Sequence, residues 1–391
     1  MKPRKILHFD LDAFFCAVEE QRDPSLKGKM FAVGGKPEHR GVVASCSYPA
    51  RRYGVRSAMP MARALRLCPR LIIVPSRHDA YQAVSKQVMA QLHDLTPFVE
   101  QLSIDEAFLD VSELPESGGE IARQLQARIR DKLGLPCSLG VASNKLIAKI
   151  ANDFGKSETP GHDPPNAIKV VPPGQEAQFL APLPTQSLWG IGPKTAERLA
   201  ALGLTTIGDV AQWPADDLAR RFGKLGADLN QRARGIDERP VEVDRETKSI
   251  SQEVTFPVDV SDGDVLRNAL RKQAERVGRR LRKSNLSGST VRLKIRWADF
   301  TTRTRQTTLP RPTNQDNEIY EQAVNLFEKI WQLGRPVRLI GLGVSGFGQP
   351  RQLGLWDEAS AEGQQLQQTL DDLRERFGDD AIKWGRDLPD K

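Results

Sequence analysis

Apolar positions recur with a period of two in several short runs and with a period near 3.6 in longer ones, so the chain reads as a mixture of strands and helices. Strands are expected at Ile6 to Phe9, Val99 to Ile104, Ala107 to Val111 and Ser138 to Val141. Helical spacing runs through Tyr81, Val84, Val88 and Leu92, and again through Ile121, Leu125, Ile129 and Leu133. These elements predict one split α/β domain, residues 1–10 and 78–167, whose sheet is covered by helices on one face.

Residues 11–77 between its halves are small and Gly- and Ala-rich, with the run Arg40-Gly41-Val42-Val43-Ala44-Ser45. Residues 168–235 open on Pro172-Pro173-Gly174. They carry Leu188-Trp189-Gly190-Ile191-Gly192-Pro193-Lys194 ahead of Leu199, Leu202 and Leu204, a helix-hairpin-helix pattern. Such a turn offers backbone N–H groups and a helix N-terminus to a phosphate, with Lys194 adding charge, although Gly-x-Gly alone also marks an ordinary tight loop. Residues 236–247 are polar, without helical periodicity, and read as a linker. From 248 to 348 the order is β-α-β-β-α-β. Val265, Leu266, Leu270, Ala274, Val277 and Leu281 line one helix, and Ile319, Ala323, Leu326 and Ile330 the other. Strand Val291 to Trp297 alternates, so Val291, Leu293, Ile295 and Trp297 face the helices and Arg292, Lys294 and Arg296 face outward. Arg303 and Arg305 are expected to continue that outward face on the next strand. A tail, 349–391, contains a further helix from Leu366 to Phe377.

The chain has 391 residues and a formal net charge of +7. Lys248 to Pro350 holds 18 Lys and Arg against 10 Asp and Glu, so the excess sits in one domain and points to a polyanionic partner there. Four scattered cysteines, Cys16, Cys46, Cys68 and Cys137, form no Cys-x-x-Cys pair, which argues against a zinc site or a disulfide framework and suits a reducing cytoplasm. No apolar run approaches a membrane span, and Met1 to Lys5 leads into too few apolar residues for a secretion signal.

The candidate chemistry lies in Phe9-Asp10-Leu11-Asp12-Ala13-Phe14-Phe15 and Ser103-Ile104-Asp105-Glu106-Ala107, where carboxylates close apolar runs. A strand-end Asp is often a turn former or helix cap. Three acids brought together by neighbouring strands, however, would repel one another unless a cation neutralised them, and hard oxygen ligands select Mg²⁺ or Mn²⁺.

Asp10-Leu11-Asp12-Ala13-Phe14-Phe15, Ser47-Tyr48-Pro49-Ala50-Arg51-Arg52-Tyr53-Gly54-Val55, Ser103-Ile104-Asp105-Glu106-Ala107 and Gly140-Val141-Ala142-Ser143-Asn144-Lys145 resemble, in order and spacing, the motifs of the Y-family DNA polymerases, within them the DinB class. The resemblance runs from residue 4 to about residue 356. It implies a right-hand polymerase: palm 1–10 and 78–167, small fingers 11–77, helical thumb 168–235 with the helix-hairpin-helix, and a βαββαβ little finger, 248–348, that binds DNA. It implies Asp10, Asp105, Glu106 and the Leu11 carbonyl as ligands of two Mg²⁺, for which Mn²⁺ can substitute. Tyr48, Arg51 and Lys156 become triphosphate contacts, and Phe15 a ring that excludes a 2′-hydroxyl. The family commonly continues Lys-Pro-x-Gly after the lysine, whereas here Lys156 is followed by Ser157-Glu158-Thr159-Pro160-Gly161. Gly190, Gly192 and Lys194 would hold DNA backbone, as would Arg292, Lys294, Arg296, Arg303 and Arg305. Gln352-Leu353-Gly354-Leu355-Trp356 is similar to the peptide by which bacterial polymerases attach to the sliding clamp, with Trp356 where Phe is usual.

The implied activity is low-fidelity translesion synthesis from primer-template DNA and deoxynucleoside triphosphates, by a cytoplasmic monomer without proofreading. An adaptor without chemistry is disfavoured because all three carboxylates are retained, and a nucleotidyl cyclase because it has no use for the hairpin, the basic sheet or the clamp peptide.

Overall fold

The computed structural model describes residues 4–159, 164–244, 246–348 and 358–378 and divides into two compact units, Met1–Arg245 and Glu246–Lys391. The first unit begins with β1 (Ile6–Leu11) and α1 (Phe14–Arg22). Between them Ala13 adopts φ +47°, a left-handed conformation costing a non-glycine residue about 1–2 kcal/mol, at the corner that follows Asp10 and Asp12. A small three-stranded sheet follows, β2 (Phe31–Gly34), β3 (Val43–Cys46) and β4 (Ile72–Val74) in the order β3-β2-β4, together with α2 (Tyr48–Arg52) and α3 (Met61–Leu67). Its core of Ala32, Val43, Cys46, Ala50 and Met61 is its own.

The larger sheet comprises β1, β5 (Val99–Gln101), β6 (Glu106–Asp110), β7 (Cys137–Ala142) and β8 (Ile168–Val170), in the order β5-β6-β1-β7-β8, interleaved with α4 (His78–His93), α5 (Gly118–Leu133) and α6 (Lys145–Glu158). Strand β1 lies at the centre, antiparallel to β6 and β7. Its period-two pattern divides two cores. Leu7, Phe9 and Leu11 pack with Tyr81 and Val88 of α4 and Ile121 and Ile129 of α5, whereas Ile6 joins Phe108, Leu146 and Ile147 on the α6 side. The sheet is therefore covered on both faces, not on one, because Ile6, Phe108 and Ala142 meet Leu146, Ile147 and Ala148 of α6 and the bare Gly140 lets that helix come close. A second correction concerns the run Val99 to Ile104: the strand stops at Gln101, and Leu102 to Asp105 form the turn of the β5–β6 hairpin, with Leu102 N–H and Ser103 N–H both donating to the Glu106 carbonyl. Asp105 thus sits in a turn and Glu106 opens the next strand.

The α6-side core continues into α7 (Glu176–Leu180), α8 (Pro193–Ala200), α9 (Ile207–Gln212), α10 (Ala215–Phe222) and α11 (Lys224–Ala233) through Leu188, Ile191, Leu199, Leu218 and Leu229. Their exit segment is pinned along its first part. Asp237, 9% exposed, accepts from Leu146 N–H at 3.1 Å and from the Arg239 guanidinium; Asn144 donates to the Gly235 carbonyl at 2.9 Å; and the buried Glu100, paired with Lys145 at 2.7 Å, accepts from Glu242 N–H at 2.9 Å. The linker reading of 236–247 therefore applies only beyond Glu242.

The second unit is β9 (Ser249–Val260), α12 (Gly263–Lys283), β10 (Gly288–Trp297), β11 (Thr302–Thr313), α13 (Asp316–Ile330) and β12 (Val337–Phe347), the expected β-α-β-β-α-β, in the antiparallel order β11-β10-β12-β9. Val291, Leu293, Ile295 and Trp297 are at most 1% exposed and pack on Leu270, Val277 and Phe327. The last helix, α14 (Glu358–Phe377), starts eight residues before the expected Leu366. It docks on α12 through Arg282–Asp371 at 2.6 Å and Arg374–Glu275 at 3.1 Å. The peptide Gln352, Leu353, Leu355 and Trp356 lies outside the described residues.

Candidate active site and nucleic-acid face

A cleft of about 310 Å³ in the first unit gathers Asp10, Leu11, Phe15, Tyr48, Arg51, Asp105 and Lys156, with Ala44 and Ser45 along one wall. These residues are far apart in sequence. Strand β1 delivers Asp10 and Leu11, the strained corner turns the chain so that α1 presents Phe15, the hairpin turn supplies Asp105, and α6 supplies Lys156. The main-chain bond from Leu11 N–H to the Asp105 carbonyl, 3.0 Å, ties the two acidic segments together. Ser103 Oγ donates to Asp105 Oδ1 at 2.5 Å, and Ser85 Oγ holds the Ile104 carbonyl at 2.5 Å, so the turn is braced from both sides.

The carboxylates are met by ammonium groups of the chain itself. Lys156 Nζ lies 2.6 Å from Asp10 Oδ1 and 3.4 Å from Asp12 Oδ1. Burial works against the charge of Lys156, but Asp10 and Asp12 outweigh it and raise its pKa. Asp12, buried, accepts from Ser138 Oγ at 2.8 and 3.0 Å and from Asn166 N–H at 3.1 Å; it acts as a local acceptor that anchors the segment leading into β8. Burial raises the Asp105 carboxyl, and the neighbouring Asp10 and Glu106 charges add to that rise. Glu106 is not among the residues lining the cleft. Although burial opposes ionisation there, hydrogen bonds from His8 and Lys149 and the Lys149 charge hold the Glu106 carboxyl below its usual range. Its Oε1 accepts from His8 Nε2 at 2.5 Å and from Lys149 Nζ.

Among the described residues no three His, Cys, Asp or Glu side chains converge closely enough to hold a metal ion. The donors nevertheless suit a hard divalent cation: carboxylate and carbonyl oxygens only, with Asp105 raised partly by like charges that a cation would relieve, and each of Asp10 and Glu106 already drawing in an ammonium group.

Arg51 stacks its guanidinium 4.5 Å over the Tyr48 ring, and its Nε donates to the Cys46 carbonyl at 3.2 Å. Burial pushes the Tyr48 hydroxyl up, so it remains a neutral donor. Phe15 stacks on Tyr81 at 4.2 Å with an interplanar angle of 14°, and the Tyr81 hydroxyl donates to buried Glu19 at 2.7 Å. In the helical module, Gly190 takes φ +93° in the turn before α8, with Gly192 as N-cap and Lys194 exposed in the first turn.

On the second unit's open sheet face, Arg292, Lys294 and Arg296 stand opposite Gln306, Thr304 and Thr302 of β11 and Gly343, Gly341 and Leu339 of β12. Arg303 and Arg305 pair instead with Ile295 and Leu293, so they lie on the helix side of the edge strand, and Arg303 reaches the Trp297 ring at 5.9 Å. The expectation that they extend the basic row is thereby corrected: a register offset of one residue sends a side chain to the other face. Ser249, Ser251, Ser345, Gly341 and Gly343 floor a groove beside Arg292 and Lys294, and Lys294 pairs across it with Glu253 at 2.9 Å.

Sequence reading missed His8, Lys149 and Asn152. Lys149, Asn152 and Lys156 repeat at helical spacing on α6 beside the apolar Leu146, Ile147, Ile150 and Ala151, and that polar stripe was the available signal.

The fold is that of the Y-family DNA polymerases. A Dbh-based Y-family DNA polymerase chimera superposes with TM-score 0.78 at 28% identity, covering 88% of this chain and 99% of that one. A structure titled as an insertion ternary complex of Dbh DNA polymerase gives 0.62 at the same identity and coverage. The chain belongs to the impB/mucB/samB family: that family's profile matches residues 9–153, its C-terminal domain 247–355, and the DNA polymerase-iota thumb domain 186–237. It is 41% identical to the DNA polymerase IV of Dehalococcoides mccartyi strain CBDB1 over 99% of this chain and 98% of that protein. It is 42% identical to the DNA polymerase IV of Desulfatibacillum aliphaticivorans over 98% and 96%.

Proposed function

We infer that this chain is a DNA-directed DNA polymerase that carries out translesion synthesis, taking primer-template DNA and deoxynucleoside triphosphates as substrates. The observation that supports the reading most is the cleft that gathers Asp10, Leu11, Asp105, Tyr48, Arg51, Phe15 and Lys156, with Lys156 paired to Asp10 and the small residues Ala44 and Ser45 in its lining.

Arg51 and Lys156 would bind the triphosphate by charge-assisted hydrogen bonds, and Tyr48 by a neutral one. Phe15, its plane held by Tyr81, would exclude a ribose 2′-hydroxyl. Asp10, Asp105, Glu106 and the Leu11 carbonyl would hold two Mg²⁺, or Mn²⁺, which when bound supply Lewis-acid activation of the primer 3′-hydroxyl and charge neutralisation on the departing pyrophosphate. Ala44 and Ser45 leave room beside the nascent pair. A loosely gripped pair admits damaged templates at the expense of fidelity, because shape discrimination supplies much of base selection. Gly190, Gly192 and Lys194 would hold backbone phosphate, as would Arg292, Lys294 and Arg296. The tail peptide Gln352 to Trp356 would engage the sliding clamp, and the enzyme would work as a cytoplasmic monomer; clamp-stimulated extension and sedimentation test those two statements.

The experiment is single-nucleotide extension with Mg²⁺, comparing wild type with Asp105→Ala on undamaged DNA and on a template bearing a minor-groove guanine adduct. Extension by wild type alone, on both templates, is expected, with a loss of at least about 100-fold in the variant. Extension by neither protein despite tight primer-template binding overturns the reading.

A further inference from the structure

We propose that His8 is a positioning residue that fixes the rotation of the Glu106 carboxylate, with Asn152 fixing His8 in turn, so that one Glu106 oxygen is kept for the divalent cation. This rests on reading Glu106 as a metal-binding carboxylate.

His8 is fully buried on the α6 side of β1, two residues before Asp10. Its ring contacts Phe108 edge-on at 4.9 Å, which sets the ring plane. Asn152 Nδ2 lies 2.8 Å from His8 Nδ1, 3.1 Å from the Ser138 carbonyl and 3.4 Å from the His8 carbonyl. Two carbonyl acceptors beside the amide require its nitrogen to face them, so Asn152 donates to Nδ1 and the ring proton resides on Nε2. That proton is directed at Glu106 Oε1, 2.5 Å away. Lys149 takes the remaining position on the same oxygen, and no hydrogen bond is found for Oε2 among the described residues. Of the two donors, Lys149 is a flexible ammonium on a half-buried stem, whereas His8 cannot move without displacing the core. The direction of the free oxygen is therefore set by His8. Interactions of this kind, one bond removed from a ligand, typically change metal affinity about 10- to 100-fold.

The test is a Mn²⁺ titration, read by the electron paramagnetic resonance signal of the free ion, of the full chain bound to dideoxy-terminated primer-template and the matched nucleotide. Insertion rate and nucleotide affinity are measured separately on extendable primer. His8→Phe, which keeps the volume and removes the donor, should weaken Mn²⁺ binding and slow insertion by about 10- to 100-fold, with nucleotide affinity unchanged. His8→Gln, whose amide nitrogen can reach the Nε2 position, should recover most of the loss. Asn152→Leu should give a smaller loss and keeps the question answerable if His8→Phe does not fold. Wild-type Mn²⁺ affinity in both His8→Phe and Asn152→Leu overturns the proposal, as does a loss in a folded His8→Phe that His8→Gln fails to recover. Glu106→Gln separates the premise: if that variant itself binds Mn²⁺ like wild type, Glu106 is not a ligand and the proposal falls with its basis.

Discussion

At Gly140 strand β7 comes into close backbone contact with α6, and a single methyl group there tests how the site is held. A Cβ on Gly140 would lie 1.9 Å from the Ala148 carbonyl oxygen and 2.5 Å from the Asn152 nitrogen. Both are backbone atoms of α6, so neither can rotate aside. Ordinary contact begins at 3.4 Å, and 3.4 minus 1.9 leaves about 1.5 Å by which the helix must withdraw. Overpacking of this kind typically costs about 1–3 kcal/mol. For a body of this size that is a fall of about 2–12 °C in Tm. The larger effect should be on rate, because α6 carries Lys149, Asn152 and Lys156, and misplacement by about 1 Å can cost about 100-fold. The assay pairs thermal unfolding of Gly140→Ala with its single-nucleotide insertion rate. Insertion near the wild-type rate with a Tm shift under about 1 °C would refute the claim that this close approach seats the helix.

Phe15→Ala should lower discrimination against ribonucleotides by about 10- to 200-fold in the ratio of kcat/KM values, and an unchanged ratio would remove Phe15 as the sugar selector. In the second unit, burial pushes Asp316 from 3.8 up to about 6 despite Arg282 at 2.8 Å. The folded state therefore holds that proton more tightly than the unfolded chain, and this contribution to stability falls as pH rises from about 4 to 6. Unfolding measured across that window should show a slope that Asp316→Asn flattens; identical slopes would contradict the assignment. Arg292→Ala with Arg296→Ala should lower the slope of log Kd against log salt for duplex DNA by about 0.9 for each phosphate that is no longer neutralised, whereas Arg303→Ala with Arg305→Ala should lower it less. Equal effects of the two pairs would mean that the open face is not the DNA face.

Much of this was legible in the sequence for a physical reason: strands β1 and β10 are short alternating runs in which burial leaves little freedom of register. The hairpin turn at Leu102 to Asp105 was not, since Leu102 and Ile104 extend the apolar run while the reversal is set by Ser103 and by hydrogen bonds to Glu106. The face of Arg303 and Arg305 depends on how many residues the connection Ala298 to Thr301 spends in turning, which composition does not reveal. His8 was hidden because one histidine inside an apolar run reads as core. The acids of the cleft were visible, but the lysines that answer them come from a helix whose packing against β1 is a tertiary fact.

Those lysines also separate folding from ion supply. Many metal proteins use their cation as a staple, and chelation then loosens the fold. Here Lys156 and Lys149 act as built-in counterions, so the palm carries its own salt. An ion arriving at the acids exchanges with an ammonium group instead of filling an uncompensated hole. Exhaustive chelation should therefore stop synthesis while leaving the melting temperature where it was, and a large drop in melting temperature would show that the resident ammonium groups do not carry that load.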